Sequence, residues 1–102
     1  MSTKQEQKNV FQLGQVVATP GALEALQRNN TTAIDYLRRH ASGDWGIVCH
    51  EDKQANEEAL KTGARLMSAY FLPDETKLWI ITEAADNASS RAATTLLLPD
   101  EY

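Results

Sequence analysis

A chain of 102 residues is long enough for one domain with its own core, and its 42 % hydrophobic and 24 % charged residues exclude a chain that stays unfolded throughout. A net charge of −4 excludes a general attraction for phosphate backbones, so nucleic-acid contact would require a local basic patch. The lone cysteine, Cys49, excludes an intrachain disulfide or thiolate cluster, and no apolar run reaches the length of a membrane span or signal-peptide core; a soluble, cytoplasmic protein is the expectation.

Met1–Asn9 is polar and reads as a tail, leaving a single domain over 10–102. Val10, Phe11, Leu13, Val16 and Val17 form an apolar stretch broken by Gly14, whose β-branched residues predict a short strand over Gln15–Ala18. Thr19-Pro20-Gly21 starts a helix, with threonine as the cap and proline at the first position, running to about Arg28 with Leu23 and Leu26 on one face. Thr32-Ala33-Ile34-Asp35 has the form of a capping box and opens a second helix with Ile34 and Leu37 facing the core. Arg38 and Arg39 fall in its last turn, where positive charge complements the dipole, and His40 lies at its end. Gly43-Asp44-Trp45-Gly46 predicts a tight turn, after which Ile47 and Val48 re-enter the core. A third helix from Lys53 to Lys61 or Thr62, capped by Glu51 or Asp52, stops at Gly63.

From Leu66 the period changes to two. Leu66–Leu72 and Lys77–Ala84 flank Pro73-Asp74-Glu75-Thr76, a connection of hairpin length. With Leu72 opposite Lys77, Tyr70 would lie opposite Trp79, Ser68 opposite Ile81 and Leu66 opposite Glu83, leaving Met67, Ala69, Phe71, Leu78 and Ile80 beneath the helices. A slip of one residue would exchange the faces. Ala85–Ala92 reads as a loop and Thr94–Leu98 as a third strand ended by Pro99. The expected fold is α+β, about three helices packed on a small antiparallel sheet with a C-terminal three-stranded meander.

Four places could carry chemistry or contacts. His40 with Arg38, Arg39, Ser42 and Asp44 is the densest: a histidine at a helix C-terminus beside guanidiniums could protonate a leaving group near phosphate, or these side chains could simply satisfy carbonyls while Asp44 closes the turn and Trp45 anchors it. Cys49, His50 and Asp52 are of metal-ligand type, but adjacent side chains diverge and no second pair has finger spacing, so no metal or cofactor is expected; the thiol reads as buried. The strand face bearing Ser68, Tyr70, Trp79, Ile81 and Glu83 could meet a partner chain or a second copy, or stack a base. Arg91, among serines, could be a phosphate contact or a solvated charge.

Taken together, Val17-Ala18-Thr19-Pro20-Gly21-Ala22-Leu23, His40–Gly46, the pattern of Asn56, Ala59-Leu60, Gly63 and Arg65–Tyr70, and Trp79–Ala84 with Thr94–Pro99 resemble a family of small uncharacterised bacterial proteins of plasmids and integrated mobile elements. The resemblance covers nearly everything from Leu13 to Tyr102. Some relatives carry a label linking them to type I restriction systems, yet no methyltransferase motif occurs here. The family has no established catalytic residues to carry over. In its pattern an acid–arginine pair directly follows the Ile-Thr-Glu-Ala strand end, whereas here Ala85–Ala93 lengthens the connection and moves Arg91 from Glu83. The resulting expectation is a non-enzymatic accessory protein of a mobile element, binding a protein partner or its own copy through Asp44, Trp45, Tyr70 and Trp79. Its rival is a small metal-independent ribonuclease or toxin-like enzyme with His40 as acid, Arg38 or Arg39 on phosphate and Glu83 as base.

Overall fold

The computed structural model describes residues 9–86 and 90–102. The tail read at Met1–Asn9 therefore lies outside the described residues up to Lys8, as does the centre of the Ala85–Ala92 loop. β1 (Gln15–Ala18) leads directly into α1 (Pro20–Arg28), where Thr19 Oγ1 accepts from the Ala22 amide at 3.1 Å and Pro20 opens the helix. α2 spans Ala33–Ala41; the Thr32 side chain makes no cap hydrogen bond, so the capping box does not form. α3 (His50–Thr62) starts ahead of the expected Lys53, with Cys49 as its cap residue, and Gly63 ends it as expected. Then come β2 (Leu66–Phe71), β3 (Lys77–Thr82), β4 (Ala93–Leu97) and a 3₁₀ turn at Pro99–Glu101.

The strand order is β1-β4-β3-β2. β2, β3 and β4 form the expected antiparallel meander, but β1 joins β4 in parallel, so the sheet is mixed rather than wholly antiparallel. The fold is α+β.

The hairpin register differs by one residue from the sequence reading, and the turn supplies the reason. Glu75 takes a φ of 71°, its amide donates to Leu72 O at 2.8 Å, and the Leu72 amide donates to Thr76 O at 2.8 Å. The loop is thus the three-residue kind ending in a left-handed residue, and Phe71, not Leu72, lies opposite Lys77. Arg28 and Asn29 at the end of α1 hold this turn, Arg28 Nε meeting Asp74 Oδ2 at 3.1 Å and Asn29 Oδ1 accepting from the Asp74 amide at 2.8 Å. The faces of β2 exchange accordingly: Tyr70 pairs with Leu78 under the helices, and Trp79 pairs with Ala69 on the other face. Tyr70 and Trp79 do not share a surface.

Helix faces follow the small-residue stripes. Ala22, Ala25 and Leu26 of α1 pack on Tyr70, Leu72, Leu78, Ile80 and Leu96, joined by Ala33, Tyr36 and Leu37 of α2. Residues 33, 36, 37, 40 and 41 form one continuous i, i+3, i+4 stripe, which turns Ile34 out to 54 % exposure; Leu23 is likewise 55 % exposed, outside the Ala22-Ala25-Leu26 stripe. The sequence reading places Ile34 toward the core and Leu23 on the face of Leu26; the structure turns both outward while Leu26 stays buried. A second cluster gathers Trp45, Ala59 and Leu66 with Phe11, Val48 and Leu60. Ile47 and Cys49 are exposed, contrary to expectation, because the segment they belong to runs along the sheet's rim.

That rim is covered in two ways. Ile47 N–H donates to Ala69 O at 2.7 Å and Ala69 N–H to Trp45 O at 3.1 Å, a parallel bridge centred on Gly46. Gly46 is obligatory there, since its φ is 77° and a Cβ would stand 1.9 Å from Ala69 O. One step along, the Asn56 carboxamide acts as a piece of strand, Nδ2 donating to Met67 O at 2.7 Å and Oδ1 accepting from Met67 N–H at 3.1 Å.

Candidate functional site

The α2 stripe that carries Tyr36 and Leu37 also carries His40, and it delivers the imidazole to the interior with no exposure at all. Phe11 packs edge-on against the ring at 5.1 Å between centroids and Trp45 at 5.8 Å. Each ring nitrogen meets a hydroxyl, Nδ1 with Ser68 Oγ at 2.5 Å and Nε2 with Thr82 Oγ1 at 2.9 Å. Thr82 Oγ1 lies 2.7 Å from Thr94 Oγ1, which donates to Leu13 O at 2.7 Å.

Proton positions follow from the far end, because a carbonyl can only accept. Thr94 gives its proton to Leu13, so it accepts from Thr82; Thr82 must then accept from His40 Nε2–H, and Ser68 donates to the bare Nδ1. The neutral Nε2–H tautomer is the one this chain of bonds requires. Burial pushes the His40 pKa down to about 3, and the nearby Arg91 charge adds to the effect.

A serine hydroxyl on a histidine resembles half of a nucleophile–base pair. Here the group behind the imidazole is a threonine rather than a carboxylate, no carboxylate among the described residues bonds the ring, and Ser68, Thr82 and Thr94 are all fully buried. The arrangement joins β2, β3, β4 and the approach to β1 by hydrogen bonds; it offers no surface to a substrate.

The other residues singled out in the sequence are scattered around it. Arg38 is exposed on the outer side of α2. Arg39 holds Asp44, Nε to Oδ2 at 2.8 Å, and lies 4.5 Å above the Tyr70 ring centre. The guanidinium keeps the Asp44 carboxyl below the usual range. Tyr70 is 1 % exposed, donates to Asp44 O at 2.6 Å, and has its pKa raised to about 12 by burial. Trp45 is buried as expected of an anchor, its indole N–H donating to Glu57 Oε2 at 2.8 Å. Glu83 directly follows Thr82, so strand alternation places its side chain on the face away from His40. The four residues His40, Arg38, Arg39 and Glu83 are not brought together.

Arg91 returns to the strand end despite the longer connection. Its guanidinium donates to the carbonyls of Glu83 at 3.0 Å, Ala64 at 2.8 Å and Ala59 at 3.2 Å, and so closes the C-terminus of α3. Cys49 and His50 are exposed at the start of α3, and among the described residues no three His, Cys, Asp or Glu side chains gather so as to hold a metal ion. Likewise, no described helix is long and apolar enough to cross a membrane.

The sheet face turned away from α1 and α2 buries Ala69, Ile81 and Leu97 and leaves Phe71 and Tyr102 exposed. Trp79 lies there half-buried, its ring 5.7 Å from that of Tyr102, whose hydroxyl accepts from Arg65 Nη1 at 2.6 Å. Phe71 is 54 % exposed and Lys77 Nζ lies 5.8 Å from its ring centre. Phe71, Arg65, Lys77 and Tyr102 were not singled out as a surface from the sequence. The signal for most of them is their odd-numbered register with Trp79, visible only once the turn is assigned.

Comparison with protein-family models, curated proteins and solved structures returned no match.

Proposed function

We propose that this chain is a non-enzymatic accessory protein of a mobile genetic element, which acts by contact with a protein partner through the outer sheet face around Phe71, Trp79 and Tyr102. The observation that carries this reading is the division of its aromatic and cationic groups. Tyr70, Trp45, His40 and Arg91 are spent on the interior, while Phe71, Trp79 and Tyr102, flanked by Lys77 and Arg65, face outward. Outward aromatic rings with an arginine beside them, here Phe71, Trp79 and Tyr102 with Arg65, are of the residue types enriched at contact surfaces. The mobile-element setting rests on the sequence resemblance. Nothing in the geometry around His40 favours the ribonuclease alternative.

Affinity capture from cells that carry the parent element tests the reading, with Phe71→Ser and Trp79→Ala compared against the unaltered chain. Retention of a protein partner that both substitutions abolish is the expected result. The buried Trp45 indole resonance serves as the internal check that the fold survives. Capture indifferent to both substitutions overturns the assignment of the face. Short RNA or DNA that shifts the Trp79 indole resonance would replace the protein partner with a nucleic acid.

A further inference from the structure

The backbone of β1 is only half used. Gln15 N–H donates to Ala92 O at 3.0 Å and Thr19 N–H to Leu96 O at 3.0 Å, with the parallel register Gln15↔Ala93 through Ala18↔Leu96 between them. In a parallel ladder this pattern turns the amides and carbonyls of Gln15 and Val17 toward β4 and those of Val16 and Ala18 away from it. No other described strand lies on that side. The side chains of Val16 and Val17 are each 42 % exposed. No charged residue occurs from Asn9 to Leu23 or from Ala92 to Pro99, so β1 itself carries none of the charges by which exposed strands resist pairing; the Glu101 carboxylate, bonded to Thr19 Oγ1 and the Gly21 amide, lies just past its C-terminal end. In an antiparallel pairing the two Glu101 carboxylates lie at opposite ends of the contact, so two chains of net charge −4 can meet here without these charges directly opposed.

We propose that a second copy of this chain occupies the edge, β1 pairing antiparallel with its own counterpart about a two-fold axis at Val17. The two four-stranded sheets then continue as one. Val16 and Ala18 exchange backbone hydrogen bonds across the axis, and Val17 faces its counterpart at the close, non-hydrogen-bonded spacing. This register is the one the local backbone permits. An axis at Val16 would enlist Gly14, whose φ of 68° leaves the extended conformation, and an axis at Ala18 would enlist Pro20, which has no N–H. Such a contact is isologous and closes at two copies. It goes beyond the partner-binding reading and does not depend on it, because the Phe71 and Trp79 variants leave β1 untouched.

The test is oxidation of Val17→Cys in a Cys49→Ser background over a dilution series. A disulfide-linked dimer should form in a yield that rises with concentration and far exceeds that of Val16→Cys in the same background, since Val16 does not face its own copy. Equal yields from the two variants, or none from either, overturn the register. Amide exchange of the unaltered chain provides the second readout: Val16 and Ala18 should slow as concentration rises while Val17, already bonded to β4, stays constant. Edge amides that remain fast at every concentration, together with a monomer mass by light scattering, overturn the dimer and leave the edge to an extended peptide of another protein.

Discussion

The two edges of the sheet are finished in opposite ways. Along β2 the outward backbone groups of Ala69 are taken up by Trp45 and Ile47, and those of Met67 by the Asn56 carboxamide. Along β1 the outward groups of Val16 and Ala18 face away from the sheet beside exposed valines. Closing an edge requires special residues: a glycine where a Cβ cannot fit and an amide side chain able to mimic a peptide. Leaving one open requires only Gln15-Val16-Val17-Ala18, a sequence with no charge and no bulge. Between the edges runs the buried chain from Ser68 through His40, Thr82 and Thr94 to the Leu13 carbonyl, which ties the closed side to the approach of the open one.

The closed edge depends most heavily on Gly46. Gly46→Ala puts a Cβ into Ala69 O and forces a left-handed φ on a side chain, which together should cost about 3–5 kcal/mol and uncover the β2 edge. Urea denaturation should give a correspondingly lower midpoint, and the amide of Ala69 should exchange as fast as that of an unpaired strand.

Acid should loosen the tie between the edges. His40 is neutral in the folded chain with its pKa lowered to about 3, whereas an unfolded histidine binds a proton near 6.5, so the unfolded state holds the extra proton between those values. Stability is therefore fully present above about pH 6.5 and declines as pH falls, by about 2 kcal/mol between pH 7 and 5 and on the order of 4 kcal/mol by pH 3. Asp44 and Glu101, with lowered pKa values, add their own losses only as pH falls through the unfolded carboxylate range near 4. Urea titrations at pH 7 and 5 isolate the histidine, and His40→Gln should flatten the difference.

Much of this layout could be read from local signals. The β1 span, the Thr19-Pro20 start of α1 and the Gly63 stop of α3 depend on residues adjacent in sequence, and each was legible. The hairpin register was not, because it turns on Glu75 adopting a conformation that its residue type does not announce. That single residue decides which face of β2 is inward. With the register displaced by one, Ser68, Thr82 and Thr94 could not be seen as three inward hydroxyls, nor His40 as their partner. The α2 stripe offers an independent clue: 34, 37, 38 and 41 would bury the Arg38 charge, whereas 33, 36, 37, 40 and 41 carry no residue of fixed charge, only Tyr36 and His40 being polar.

A smaller effect is expected on the closed edge at Asn56. Asn56→Ala leaves the Met67 amide and carbonyl without partners beneath α3, at a cost of about 2–3 kcal/mol. Asn56→Asp separates the two bonds, because a carboxylate can accept from the amide but cannot donate to the carbonyl. Chemical denaturation of the pair should rank both below the unaltered chain.

The smallest effect is expected from proline on the open edge, and its size is the direct measure of the asymmetry. Proline removes one N–H and fixes φ, so the damage depends on where that N–H pointed. At Ala69 the amide donates to Trp45 O, and Ala69→Pro should cost about 3 kcal/mol or more by losing that bond and lifting the segment that carries Gly46. At Val16 the amide points away from β4, so Val16→Pro removes no bond within the chain and should cost about 1 kcal/mol or less in a dilute monomer. Comparing the two by urea midpoint at low protein concentration checks the sign and the gap. Equal costs would mean that Val16 N–H already has a partner within the chain, and the β1 edge would then be closed as well.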